Sequence, residues 1–310
     1  MTKLLVLDPL TLIGREFLNT GENLDRLGLE FDFRHTDVDP EHQIAEISGG
    51  PALVPPLESV EELDGNDAIL VASDSMGSRH DPLLEFLDRN PDTTIIDMAR
   101  LTGLVDRTTP STGRDLPEAR HLRVAHPAMV VASRLFDVLA YFGRLGGTLA
   151  IVDPVSEFGK DAVELLAGQS RQRLLGAPVE DMIYGHVRAF NVVAVDAFDL
   201  QEEAAVVAPN VPLAVTRSLS GVFHGHLAHL GLAFDNPLDP DDVREALSQA
   251  EGVEIEDLPV NLDGAADRDH AIITPPVMSP DGRQFAVTAM ADGLRVGGAL
   301  TAIDILENLI

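Results

Sequence analysis

Lys3-Leu4-Leu5-Val6-Leu7 runs directly into Asp8-Pro9-Leu10-Thr11-Leu12-Ile13-Gly14. The first stretch is almost wholly aliphatic, as a strand covered on both faces must be. The second turns the chain into a helical pattern from Gly14 to Asn23, with Ile13, Phe17 and Leu18 on one face. The same alternation continues downstream. Leu29-Glu30-Phe31-Asp32-Phe33 has the period of two of a strand, and Ala52-Leu53-Val54, stopped by Pro55 and Pro56, predicts an edge strand. Ala68-Ile69-Leu70-Val71-Ala72 and Thr93-Thr94-Ile95-Ile96-Asp97 predict two more buried strands, with a helix over Pro82–Leu87 between them. Strands alternating with helices are βαβ units, and βαβ units build a parallel sheet. The expected class is α/β: a doubly wound, Rossmann-like, dinucleotide-binding-like first domain.

The pattern changes near Pro127. A helix is predicted over Met129–Tyr141, a strand over Gly147–Val152 and a helix over Asp161–Leu175. Strand patterns then dominate: Val192–Val195, Leu213–Val215 through Val222–Phe223, Val253–Ile255 and Phe285–Thr288. Long antiparallel strands with helices on one face predict an α+β second domain. An apolar helix over Gly298–Ile310 closes the pattern. The expected division is 1–127 plus 294–310 for the first domain and 128–293 for the second.

Composition narrows the function. The 310 residues contain no cysteine, which removes disulfides, thiolate metal sites and cysteine catalysis together. Asp and Glu number 51 against 22 Lys and Arg, a net charge of −29, and only Lys3 and Lys160 are lysines. Such a surface repels nucleic acid and anionic membrane. It fits a proteome adapted to high salt, where self-repulsion is screened, which predicts loss of stability at low ionic strength; the alternative is an acidic face that selects a partner. No apolar run approaches the roughly 18 residues of a membrane helix, and the amino-terminal apolar stretch reads as a strand rather than a signal peptide. A cytoplasmic protein is expected.

Four stretches carry a resemblance: Ser156-Glu157-Phe158-Gly159-Lys160-Asp161 through Gln169-Ser170; Ala189-Phe190-Asn191-Val192-Val193; Gly221-Val222-Phe223-His224-Gly225-His226; and Ala291-Asp292-Gly293-Leu294-Arg295-Val296-Gly297-Gly298-Ala299-Leu300. In this order and spacing they resemble aspartate-β-semialdehyde dehydrogenases and their cysteine-less Usg-type relatives. The resemblance implies an NADP-binding first domain, a second domain supplying substrate groups and a homodimer interface, and a terminal helix that rejoins the first domain. It also implies reductive dephosphorylation of aspartyl phosphate through a cysteine thioester.

Position by position, the implied chemistry is missing. The nucleophile falls at Met129, in Ala125-His126-Pro127-Ala128-Met129. A thioether neither ionises nor carries an acyl group; a methionine there reads as core packing. Of the glycine-rich phosphate turn only Gly14 remains, as the remnant cofactor residue. Asp8 and Thr11 stand where the other glycines belong, Asp8 brings like charge towards a diphosphate, and Pro9 lacks an amide donor. Thr11 is a candidate helix cap. Arg34 follows the second strand, where a 2′-phosphate would be read, and a solvated arginine is the plainer reading. The nicotinamide asparagine is Gly293.

Asp153 replaces a glutamine, Glu202 and Glu203 persist without the lysine that should follow, and the arginine position falls near Leu219. Arg217 lies two residues away, on the same strand face but not in the same place. His226 is the retained acid–base position. His224, His226 and His229 offer imidazoles suited to zinc or nickel but only a partial shell, and no metal is assigned. The expectation is therefore an inactive homologue, a pseudoenzyme acting as a binding or scaffold protein with no cofactor, paired as a homodimer or with a heteromeric partner. The alternatives are altered acid–base chemistry on a small ligand through His226, Asp153, Glu202 and Glu203, or the family's own NADP-dependent activity.

Overall fold

The computed structural model describes residues 2–36, 43–47, 50–73, 81–100, 103–114 and 116–309. The chain forms two compact units. The first comprises Met1–Val124, Phe158–Lys160 and Gly298–Ile310; the second comprises Ala125–Glu157 and Asp161–Gly297.

Strands β1 (Lys3–Leu7), β2 (Glu30–Arg34), β5 (Ala68–Val71), β6 (Thr94–Asp97), β7 (Thr109–Ser111) and β8 (His121–Val124) form the sheet of unit 1, in the order β2-β1-β5-β6-β8-β7. Every pairing in it is parallel. The expected edge strand pairs elsewhere: β3 (Gln43–Ile47) and β4 (Gly50–Val54) make their own antiparallel ribbon. The doubly wound arrangement explains the aliphatic runs. Leu4 and Val6 face a core shared with helices α1 (Leu12–Asn19), α2 (Gly21–Leu27) and α9 (Leu300–Leu309). Leu5 and Leu7 face the opposite core, which holds Leu83, Phe86 and Leu87 of α3 (Asp81–Arg89). Both sides of β1 are thus dry, and no polar alternation survives. Helix α1 starts at Leu12, two residues before the pattern predicted, because the Thr11 side chain caps it by accepting from the Gly14 amide.

Unit 2 is built on β9 (Arg144–Asp153), β10 (Val192–Val195), β11 (Leu213–Ser220), β12 (His226–Phe234), β13 (Val253–Ile255), β14 (Ala271–Ile273), β15 (Val277–Met278) and β16 (Gln284–Ala291). The sheet order is β10-β11-β9-β12-β16-β14-β13, with β15 on β16. It is mixed rather than purely antiparallel, since β11 runs parallel to β9 and β13 to β14. Strand β11 stops at Ser220, short of the predicted Val222–Phe223, and β12 was visible in the sequence only at His226. Helix α4 (Pro127–Leu139) lies in the main core with Leu149, Ile151, Leu230 and Phe285, alongside Leu200 and Ala204 of α6 (Phe198–Val207) and Val243 of α7 (Pro240–Ser248). Helices α5 (Gly159–Leu174) and α8 (Leu262–Ala265) complete the elements. Among the described residues no helix is long and apolar enough to cross a membrane.

Candidate functional site

Three strand ends and one helix start bring the chemistry of unit 2 together. Asp153 ends β9 and is fully buried. The antiparallel register that sets Leu227 opposite Val152 brings His226, at the start of β12, beside it. The parallel register places Leu219 opposite Asp153 and Arg217 opposite Ile151. Arg217 thus stands two residues from Leu219 along β11, and it still joins the cluster. Its long side chain spans the offset, and Nε donates to Asp153 Oδ2 at 2.6 Å. His126 arrives from the other direction, as the N-cap of α4.

His126 is a site residue that the sequence reading missed. Its place before Pro127 at a helix start was the available signal, since that position needs a cap. Its Nδ1 accepts from the Ala128 amide at 3.2 Å, so Nε2 carries the proton and donates to Asp153 Oδ1 at 3.1 Å. The His126 amide donates to Glu203 Oε1 at 2.5 Å, and Glu203 is buried. Glu202 is exposed and outside the cluster. The His126 and His226 rings meet edge to face, 5.2 Å between centroids at 85°.

His226 Nε2 lies 3.1 Å from Glu157 Oε2 and 3.8 Å from Asp153 Oδ1. Burial opposes the charged imidazole, but the Glu157 hydrogen bond and the charges of Glu157, Asp153 and Asp292 outweigh it and raise its pKa. Burial likewise opposes the Glu157 carboxylate, and the His226 hydrogen bond and charge nevertheless lower its pKa to about 2. Asp153 is held well below the usual carboxylate range against its own burial by His126, Arg217 and His226.

The four sequence stretches converge on this cluster. Gln169 Oε1 accepts from the Arg188 and Ala189 amides, tying the first stretch to the second. Arg188 is completely buried with Nε and Nη2 on the Ser220 carbonyl, and burial pushes its pKa down to about 10. The Val155 and Ser156 amides donate to Val222 and Phe223 carbonyls, tying the first to the third. Gly293, in the fourth, lies flat against His226: a Cβ there would sit 2.1 Å from Nδ1. The glycine is what admits the imidazole. His226 Nδ1 is buried without a hydrogen-bond partner.

The three histidines read as a partial metal shell do not converge. His224 is exposed and precedes β12, so it shares no strand face with His226, and His229 pairs with Thr288 Oγ1. Among the described residues, His126, Asp153 and His226 form the group whose ligand atoms lie within 4.8 Å of one another. The helix cap works against metal there. An imidazole metallated at Nε2 carries its proton at Nδ1, where it would face the Ala128 N–H. Met129 is 1% exposed in the main core.

In unit 1 the turn after β1 is also filled from within. Asp8 is buried, with φ of 58°. Its carboxylate accepts from the Thr36 amide at 2.5 Å, from Thr36 Oγ1 at 2.6 Å and from Ser73 Oγ. Thr11 Oγ1 closes the turn by donating to the Ala72 carbonyl at 2.5 Å. Gly14 is required by close approach, since a Cβ would stand 2.6 Å from the Asp8 carbonyl oxygen. Arg34 is engaged by Asp32 and Glu62.

A doubly wound parallel-sheet unit joined in one chain to a mixed-sheet unit is the architecture of the semialdehyde dehydrogenases. The crystal structure of aspartate semialdehyde dehydrogenase II complexed with ASA, from Vibrio cholerae, superposes with a TM-score of 0.82 at 16% identity, over 100% of this chain and 98% of that one. The enzyme from Francisella tularensis gives 0.81 at 13% identity over the full length of both. By sequence the chain is similar to the USG-1 protein homolog of Azotobacter vinelandii, 29% identical over 200 residues, and to aspartate-semialdehyde dehydrogenase of Shewanella sp. strain DB6705, 29% over 202 residues. The match covers 59% of this chain in both cases, and 59% and 58% of the relatives' own lengths. No family model matches the chain.

Proposed function

We propose that this chain keeps the semialdehyde-dehydrogenase fold without that family's reaction, and acts as a binding or scaffold protein in the cytoplasm, as a homodimer or beside a heteromeric partner. One observation carries the reading: the chain has no cysteine, and Met129, where the resemblance implies the nucleophile, is a buried core side chain. Acyl transfer through a thioester needs a thiolate, and no other residue supplies one. The polar cluster supports the same reading, because its charges answer one another. Arg217 pairs with Asp153, His226 pairs with Glu157, and Glu203 holds the His126 amide. The turn after β1 does not fit a bound diphosphate, because the Asp8 carboxylate already takes the donors there. Exposed apolar side chains in unit 2, Phe190, Val192 and Phe198 among them, support a protein partner.

A second reading is favoured by one feature, the pairing of a raised His226 pKa with lowered Glu157 and Asp153 values in one cluster. Buried titratable groups with perturbed pKa values, gathered within hydrogen-bond reach of one another, support acid–base chemistry on a small ligand.

The test is an assay of the purified, folded protein with NADP, phosphate and aspartate semialdehyde, beside Met129→Cys. No turnover above background is expected from either, because a thiol alone leaves the dinucleotide turn and the lysine missing. NADPH formation by the unsubstituted chain would overturn the proposal.

A further inference from the structure

The register of unit 1 aligns three strand ends. Leu7 stands opposite Arg34 on one side and opposite Val71 on the other. Asp8, Thr36 and Ser73 therefore leave the sheet together at its carboxyl edge, with β1 between β2 and β5. The chain returns across the sheet between β2 and β5, so this edge is the topological switch point, the place where open parallel sheets bind ligands. Donors converge there, and the group they meet is an anion of the chain's own. The Thr36 amide, Thr36 Oγ1 and Ser73 Oγ all point at the Asp8 carboxylate. The backbone records a cost for this. Asp8 sits at φ 58°, the left-handed region that side chains other than glycine avoid, and the conformation persists because the three donors hold it.

We infer that the Asp8 carboxylate is a built-in occupant of an anion cradle at the carboxyl edge of the first sheet. It closes that edge to the diphosphate of a dinucleotide, and its removal opens a site for inorganic phosphate or pyrophosphate. The inference stands apart from whether unit 2 turns anything over, because a chain without a thiol can still bind a dinucleotide.

Asp8→Gly isolates the carboxylate, since glycine adopts the same φ without strain. The experiment is calorimetric titration of NADP and of pyrophosphate into the unsubstituted protein and Asp8→Gly in high salt, with melting curves in pyrophosphate against chloride at matched ionic strength. The unsubstituted protein is expected to bind neither. Asp8→Gly is expected to bind pyrophosphate roughly tenfold or more tighter than the unsubstituted chain, through loss of a like charge at contact distance, and to melt higher in pyrophosphate than in chloride.

NADP binding to the unsubstituted protein overturns the closure. A folded Asp8→Gly that ignores pyrophosphate overturns the cradle. Should Asp8→Gly not fold, Asp8→Ala, which also empties the cradle, takes its place: stabilisation by pyrophosphate supports the cradle, and indifference to it overturns it. The dehydrogenase assay reads thiol chemistry and the titration reads the first sheet, so the two proposals fail separately.

Discussion

Two buried aspartates, Asp8 just past β1 in unit 1 and Asp153 at the end of β9 in unit 2, are served in opposite ways. Asp8 is met by an amide and two hydroxyls. Asp153 is met by a guanidinium and two imidazoles. Neutral donors solvate a carboxylate without adding charge. Charged partners neutralise it but must themselves be desolvated, so each becomes costly once the other is gone. Unit 1 holds its buried carboxylate with neutral donors, and unit 2 holds its own within a charge network.

The sharpest way to break this comparison is to remove each carboxylate in turn. Asp153→Ala leaves Arg217 with only the longer 3.7 Å contact to Asp199 and removes the partner of His126, and the expected loss is about 3–5 kcal/mol. Asp8→Ala leaves neutral donors unpaired, and about 1–3 kcal/mol is expected. Denaturant unfolding in high salt measures both, and equal losses would erase the distinction.

Gly293→Ala probes the network without touching a charge. The new methyl lands 2.1 Å from His226 Nδ1, so the ring must shift and its 3.1 Å contact with Glu157 is disturbed. A cost of about 1–3 kcal/mol is expected, together with a moved His226 titration followed by NMR. An unmoved titration would mean that the glycine serves only the local backbone.

The smallest effect is the pH profile. His226 has a folded pKa above its ordinary 6.5, so its share of stability is complete below 6.5 and fades as pH rises through the folded value. Glu157 has a folded pKa of about 2 against an ordinary 4.5, so its share is present above 4.5 and lost as pH falls through about 2. The pair therefore contributes most between 4.5 and 6.5. Hydroxyl and amide donors do not titrate across that range, so the Asp8 side adds no step of its own through them. Urea midpoints of the unsubstituted protein should decline above pH 6.5, and His226→Gln should flatten the decline. A flat profile in the unsubstituted chain would remove the ion pair from the account.

Much of the fold was legible because burial on both faces leaves a local trace. Runs such as Lys3–Leu7 and Ala68–Val71 need no tertiary information to read as covered strands, and Thr11 announced itself as a cap. One absence was equally legible: a chain without cysteine cannot form a thioester on a side chain of its own. What the sequence could not show was convergence. Asp153, Arg217 and His226 meet because β11 and β12 flank β9 in fixed registers, and those registers come from long-range pairing rather than from neighbours in the chain. His126 looked like a residue before a proline, and only the packed helix makes it a cap that also sets its own tautomer. Asp8 looked like a charge aimed at a missing ligand. Only the aligned ends of β1, β2 and β5 turn it inward, because donors from three separate segments must be assembled before one carboxylate can be buried.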